Sequence, residues 1–421
     1  MTDLLRIRNE EVDLGEHPDP GTLRGKVEPW LAAVLQSEHL SLLLGNGLAM
    51  AIGYAADAVP PTMAASPFSG QLADEVEAAA KRSAAATGRG SPNIEDRIRT
   101  ALALQAGLEI MGDSRSELWA DQIDGALRGL LSEVLAGERG IKKAVEAASD
   151  SGLTAHRLLV SFLLTFASRS ASRDRLNLFT TNYDRIVEFG CDLAGLRPID
   201  RFVGALEPVF RSSRVDVDQH YNPPGIRGEP RYLEGVLRLG KIHGSLDWRF
   251  RNGALRRVGL PFGADPGHPE ILPDPALGLM IYPNPAKDVE TLLYPYAELM
   301  RDMSAALCRP NSALVTYGYG FGDDHINRVI ADMLAIPSTH LVVISFDWCE
   351  GRLARFLDRS GRPAQVTLMV GSHFGSLPTL VDHYLPKPAI DTISLREAEL
   401  RQRRQPRPSE SSDVGGGGVS S

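Results

Sequence analysis

Cysteine is scarce in this chain. Only Cys191, Cys308 and Cys349 occur in 421 residues, and no two form a C-x-x-C pair. Three scattered thiols cannot build a zinc ribbon by themselves, and they suggest no disulfide framework. Long apolar runs are missing as well. The stretch Leu40–Leu44 is far too short to span a bilayer, so no membrane role is expected. The opening residues Met1-Thr2-Asp3-Leu4-Leu5-Arg6 lack the apolar core of a signal peptide. A cytoplasmic, reducing setting is the expectation. Positive charge is not in excess either. The formal net charge is −8 and the pI about 5.7, which argues against nucleic acid as a direct partner.

What is present is an ordinary globular composition, 43% hydrophobic and 23% charged. The length allows two domains or one large decorated domain. Residues 1–22 are polar and acidic and read as a flexible N-terminal segment. Leu23–Gln36 has helical spacing, and Ser41–Leu44 reads as a buried strand entering a glycine turn. Between 71 and 170 the chain is rich in Ala, Leu, Glu and Arg, with little strand signal. Helices are expected near 71–86, 93–110, 115–136, 140–149 and 153–169, forming an inserted helical module. Asn93 is the expected cap of the second, with acidic residues in its first turn. Buried strands alternate with helices from about 310 to 385, as in a Rossmann-type parallel sheet. Residues 23–70 and 171–395 are therefore read as one α/β domain. The stretch 396–421 reads as a disordered tail.

Three strand ends carry small polar groups or glycine. Leu42-Leu43-Leu44 runs into Gly45-Asn46-Gly47, and Asn177-Leu178-Phe179-Thr180 into Thr181-Asn182-Tyr183-Asp184. The third, Ala313–Tyr317, runs into Gly318-Tyr319-Gly320. Open sheets bind ligands at such carboxyl edges. Glycine there lets the backbone approach a pyrophosphate, and a helix N-terminus supplies N–H donors. The pattern G-x-G-x-x-G is incomplete, because Met50 stands where the third glycine belongs; a tight strand–helix turn explains the same residues. Asn182 and Asp184 alternate and so project to one side. An amide and a carboxylate there suit a carboxamide or ribose hydroxyls, and also suit helix capping. His243, between Ile242 and Gly244, ends a strand-like run and has a side chain able to accept a hydroxyl proton near neutral pH. Most lone histidines are structural. Asp323, Asp324 and His325 invite a metal reading, but neighbouring helical side chains diverge, so an acidic helix start is preferred and no metal is expected. Ser345 and Asp347 end the next strand, where a hydroxyl or carboxylate can bond an adenosine ribose or cap a helix.

Together these segments resemble the sirtuin family. Its opening glycine loop is similar to Gly45-Asn46-Gly47, and its T-Q-N-x-D segment to Thr180-Thr181-Asn182-Tyr183-Asp184, with Thr181 in place of glutamine. Its His-Gly pair is similar to His243-Gly244, its later glycine loop to Gly318-Tyr319-Gly320, and its ribose-binding strand end to Ser345. The four-cysteine zinc module of the deacetylating members is absent. The run Asn93-Ile94-Glu95-Asp96 and the run from Gly318 to Asn327 resemble the prokaryotic anti-phage branch, whose members hydrolyse NAD. The length resembles the sirtuin-like subunit that works with a HerA-type ATPase.

The resemblance implies a Rossmann-type sheet with a helical insertion and no zinc module, acting on NAD as substrate. It implies that Asp184 holds the carboxamide, that Asn182 orients ribose and water, and that His243 is the general base. Gly45, Asn46, Gly47, Thr181, Gly318, Gly320, Ser345 and Asp347 would hold the rest of the dinucleotide. A homo-oligomer and a HerA-type partner are also implied. NAD-dependent protein deacylation and non-catalytic nucleotide binding are the alternatives.

Overall fold

The apolar runs of this sequence become strands buried on both faces. The computed structural model describes residues 3–12, 14, 18–60, 67–86, 88, 90–169, 173–212, 218–221, 231–271 and 294–387. All but Lys387 belong to one unit, Met1–Pro386; the expected tail at 396–421 lies outside the described residues. The principal sheet contains β1 (Leu4–Ile7), β2 (Glu10–Val12), β3 (His39–Leu44), β4 (Leu176–Thr180), β5 (Arg197–Ile199), β6 (Val236–Lys241), β7 (Ser312–Tyr317), β8 (His340–Ser345) and β9 (Val366–Val370). Their spatial order is β2-β1-β9-β8-β7-β3-β4-β6-β5. From β9 to β5 every pairing is parallel.

Within the parallel part the chain starts in the middle at β3 and builds outward through β4 to β5 at the edge, with β6 inserted between β4 and β5. It then returns to the other side of β3 and builds outward through β7, β8 and β9. That is the doubly wound order of a Rossmann-like fold, whose switch point lies between β3 and β7. Register keeps the strand ends level. Leu44 pairs with Tyr317 on one side and Thr180 on the other, and Thr180 pairs with Lys241. The segments following β3, β4, β6 and β7 therefore emerge side by side.

Both faces are covered, which explains the nearly unbroken apolar strands. Leu40, Leu42 and Leu44 of β3 pack on one face against α1 (Pro20–Leu35), α2 (Asn46–Ala55), α6 (Asp150–Ala167) and α7 (Ile186–Ala194). Leu43 points to the opposite face, into a core with α8 (Tyr296–Leu307), α9 (Asp324–Leu334) and α10 (Arg352–Ser360). Each such fully buried leucine contributes on the order of 2 kcal/mol of transfer free energy.

A third core belongs to the helices between β3 and β4. It joins α3 (Ala73–Ala86), α4 (Ile94–Ile110) and α5 (Arg115–Glu146) around Ile98, Trp119, Ile123 and Leu127. Asn93 caps α4 in a reciprocal box, its side chain accepting from the Asp96 N–H while the Asp96 carboxylate accepts from its own. This core also takes in Tyr183 and Leu246, from the segments after β4 and β6. No helix among the described residues is long and apolar enough to cross a membrane.

Two expectations are corrected. The loose start at residues 1–22 is instead ordered over much of its length. β1 pairs antiparallel with β9 and β2 with β1, Leu5 is fully buried, and α1 begins at Pro20 under an Asp19 cap. A sheet edge supplies hydrogen-bond partners that no local pattern announces. The break expected near 136–140 is absent, because α5 runs unbroken to Glu146. Its glycines cost about 1 kcal/mol each, and the packing of Leu131, Leu135 and Ile141 outweighs them.

Candidate functional site

A cavity of about 240 Å³ opens at the carboxyl ends of β3, β4, β6 and β7, where the sheet order reverses. Gly45, Asn46, Thr181, Asn182, Asp184, His243, Gly318 and Gly320 all line it. Gly47, Ser345 and Asp347 do not. A larger groove, about 690 Å³, lies over β4 and β6 beside α8, with Phe179, Arg201 and Asp302 in its walls. None of the expected site residues lines that groove.

The floor is backbone packed on backbone. The Gly45 N–H donates to the Tyr317 carbonyl and the Gly47 N–H to the Gly318 carbonyl, both at 3.1 Å. A Cβ on Gly45 would fall 2.4 Å from the Gly318 oxygen, and one on Gly318 would fall 2.5 Å from the Gly47 Cα. Gly318 also has φ +61°. This departs from the expectation for Gly45 and Gly47. Their N–H groups are engaged inside the protein, and what glycine supplies there is close passage of two loops rather than a phosphate cradle.

Asn182 is fixed from two sides. Its N–H donates to the Thr180 hydroxyl at 3.1 Å, and its Nδ2 donates to the Gly45 carbonyl at 3.2 Å. The remaining polar atom of this carboxamide, Oδ1, is an acceptor. Asp184 both lines the cavity and accepts the Ile186 N–H at 3.1 Å at the start of α7; capping and cavity lining therefore coexist. Burial pushes its carboxyl up to about 6, against the opposing pull of Lys241. The Lys241 ammonium donates to the Asp184 carbonyl and pairs with Glu188 at 2.9 Å. His243 is almost fully buried. Its Nε2 lies 3.2 Å from His325 Nε2 and 3.9 Å from Asp323 Oδ1.

The opposite wall comes from the helices. Glu95 of α4 and Leu130 and Val134 of α5 line the cavity. The Tyr183 hydroxyl donates to Glu95 at 3.4 Å. Burial drives the Tyr183 phenol well up, so it stays a neutral donor. Behind this wall Glu138 of α5 accepts from the Arg185 N–H at 2.8 Å and pairs with the Arg185 guanidinium at 2.6 Å. It also accepts the Gly263 N–H.

Ser345 and Asp347 tie a turn together. The Ser345 hydroxyl donates to the Asp347 carbonyl at 2.7 Å, and the Asp347 carboxylate accepts the Cys349 N–H at 2.7 Å. The turn delivers Arg352, which lines the cavity and donates to the Gly320 carbonyl at 2.7 Å. The sequence reading missed Arg352, Glu95 and Glu138. A signal existed for Arg352: it is the first residue of α10, where a cation opposes the helix dipole and needs another reason to be there.

No protein-family model matches the chain, and no curated protein matches it. Fold and site define a Rossmann-like protein with a cavity at the switch point of its sheet into which several polar side chains converge.

Proposed function

We propose that the chain is a sirtuin-like NAD hydrolase that cleaves the bond between nicotinamide and ribose, releasing nicotinamide and ADP-ribose. The observation that carries this reading is the convergence of Asn182, Asp184 and His243 on one cavity at the switch crevice, the place where doubly wound sheets bind dinucleotides. Departure of nicotinamide leaves an oxocarbenium-like sugar, so catalysis calls for negative charge near the ribose and a positioned water. Asp184 bonds the carboxamide, and its ionised form also favours the developing cation. Glu95, held by Tyr183, supplies a second carboxylate from the helical wall. Asn182 Oδ1 orients the ribose hydroxyls or the attacking water. His243 takes the proton. Arg352 supplies the fixed positive charge for the pyrophosphate, in place of the engaged amides of Gly45 and Gly47. In this reading α3–α5 form an insertion that closes the site, there is no zinc module, and the chain works in the cytoplasm. It assembles with copies of itself and a HerA-type ATPase, and depletes NAD in anti-phage defence.

The test is to incubate the purified chain, alone and with such a partner, with NAD and resolve the products. Nicotinamide and ADP-ribose are expected without any peptide. His243→Ala and Asn182→Ala should each slow nicotinamide release about a hundredfold or more, with the folded state retained by circular dichroism. Acyl-ADP-ribose formed only with an acyl-lysine peptide would make it a deacylase. Tight NAD binding without turnover would make it a binding subunit.

A further inference from the structure

The imidazole of His243 does not end at the cavity. His325, the second residue of α9, brings its Nε2 to 3.2 Å from His243 Nε2. Asp323 Oδ1 stands 3.9 Å from the same nitrogen, and one donor atom from each residue lies within 4.8 Å of the others. Two imidazoles and a carboxylate are the donor set of Zn²⁺ and its neighbours in the first transition row.

The distances fit that chemistry. Two ring nitrogens bound to one tetrahedral ion at about 2.05 Å stand about 3.3 Å apart, close to the 3.2 Å between the two rings. A ring–ring hydrogen bond accounts for that separation equally well. What adds a third ligand is the carboxylate, with one oxygen 3.9 Å from His243 Nε2 and the three donor atoms all within 4.8 Å of one another. The adjacency of Asp323 and His325 in sequence, which argued against chelation, loses its force here. Asp323 is the N-cap residue in extended geometry, and its side chain makes no capping bond, so it leaves the helix at an angle to His325. The turn is braced behind the cluster. The Tyr319 hydroxyl donates to Asn327 Oδ1 at 3.1 Å and approaches the Asp323 carbonyl at 3.4 Å, and Asn327 Nδ2 donates to the Phe321 carbonyl. Such outer contacts fix the ligands of metal sites. His243 and Asp323 both line the cavity, so a fourth position opens onto it.

We propose that His243, His325 and Asp323 bind one divalent cation of the zinc class, and that the cation switches the site off by occupying the imidazole assigned to proton transfer. The binding half stands on geometry alone; the inhibition half rests on the NAD-cleavage reading.

The experiment uses the full chain, stripped with chelator and titrated with Co²⁺, which reports its ligands by visible absorption. One saturating equivalent is expected, displaced by Zn²⁺. His325→Ala and Asp323→Ala should each weaken binding at least about tenfold, the cost of losing even an outer-shell partner. If His325→Ala does not fold, His325→Asn replaces it. Zn²⁺ should suppress nicotinamide release over the concentration range in which it displaces Co²⁺. Absence of saturable cobalt binding, or binding unchanged in the variants, overturns the site. Zinc that binds yet leaves nicotinamide release unchanged, or accelerates it, overturns the inhibition. A metal-free chain that never releases nicotinamide removes the inhibition together with the NAD-cleavage reading, while the cobalt titration still decides the site.

Discussion

The cavity has two walls made in different ways. The sheet wall is held by main chain: Gly45, Thr181 and Gly318 are each fixed by backbone hydrogen bonds that continue the strands past their ends, and Gly47, in the first turn of α2, donates to the Gly318 carbonyl. The helical wall is held to it by side chains, chiefly Glu138 to Arg185, Glu95 to Tyr183, Arg355 to the Gly88 carbonyl and Glu350 to the Gly90 N–H. A main-chain wall is set by topology and tolerates few substitutions. A side-chain wall depends on a handful of charged groups, some buried, and each can be removed singly. The first gives a fixed frame for Asn182; the second decides how tightly the frame is enclosed.

The largest effect expected from breaking this arrangement comes from Glu138→Ala. Glu138 and Arg185 are 0% and 6% exposed, so the variant strands a buried guanidinium. A loss of about 3–5 kcal/mol is expected, read as a shift in the urea midpoint at unchanged slope. A loss under about 1 kcal/mol, the scale of exposed pairs, would show that the helical wall is not anchored there.

Gly318→Ala tests the other wall. A side chain at φ +61° and 2.5 Å from the Gly47 Cα costs about 2–4 kcal/mol from backbone strain and overpacking. Gly320→Ala is the internal control. Gly320 is not in the left-handed region, and its nearest neighbour would be Arg352 Nη2 at 3.5 Å, an ordinary van der Waals distance. Thermal melts of the pair should therefore diverge; similar melts would refute the backbone-crossing account.

The third test is the most discriminating, because Asp184 lies where the walls meet. Its carboxyl is at about 6 when folded, against an ordinary 3.8. Between these values the folded state holds more protons than the unfolded, so stability falls as pH rises from about 4 to 6. The penalty is then fully present above that window. Asp184→Asn keeps the acceptor for the Ile186 N–H and cannot ionise. It should be more stable than the parent at pH 8 by about 3 kcal/mol, with the gap closing below about pH 4. Denaturation curves at both pH values decide. A gap that does not change with pH means that water reaches the carboxyl and the helical wall does not seal it.

These two constructions also explain what could be read in advance. The strand ends were legible because apolar runs buried on both faces stop abruptly at small polar residues, and the cap at Asn93 because its box is local. β1 was not, since its pairing with β9 joins residues over 360 positions apart and leaves no periodic trace. Asn182, Asp184 and His243 stood out as polar residues closing apolar strands. Glu95, Glu138 and Arg352 stood among the many charges of solvated helices, and only tertiary packing separates them from the rest. The glycines were noticed for the right reason, close approach, but the partner they approach is another loop.

That crossing of Gly45 and Gly47 with Gly318 has a lasting consequence. A floor without side chains offers natural variation nothing to adjust. Any drift in ligand preference, or any attempt to re-engineer it, has to work from the side chains around that floor, among them those that α4, α5 and α10 present, which can be exchanged one at a time.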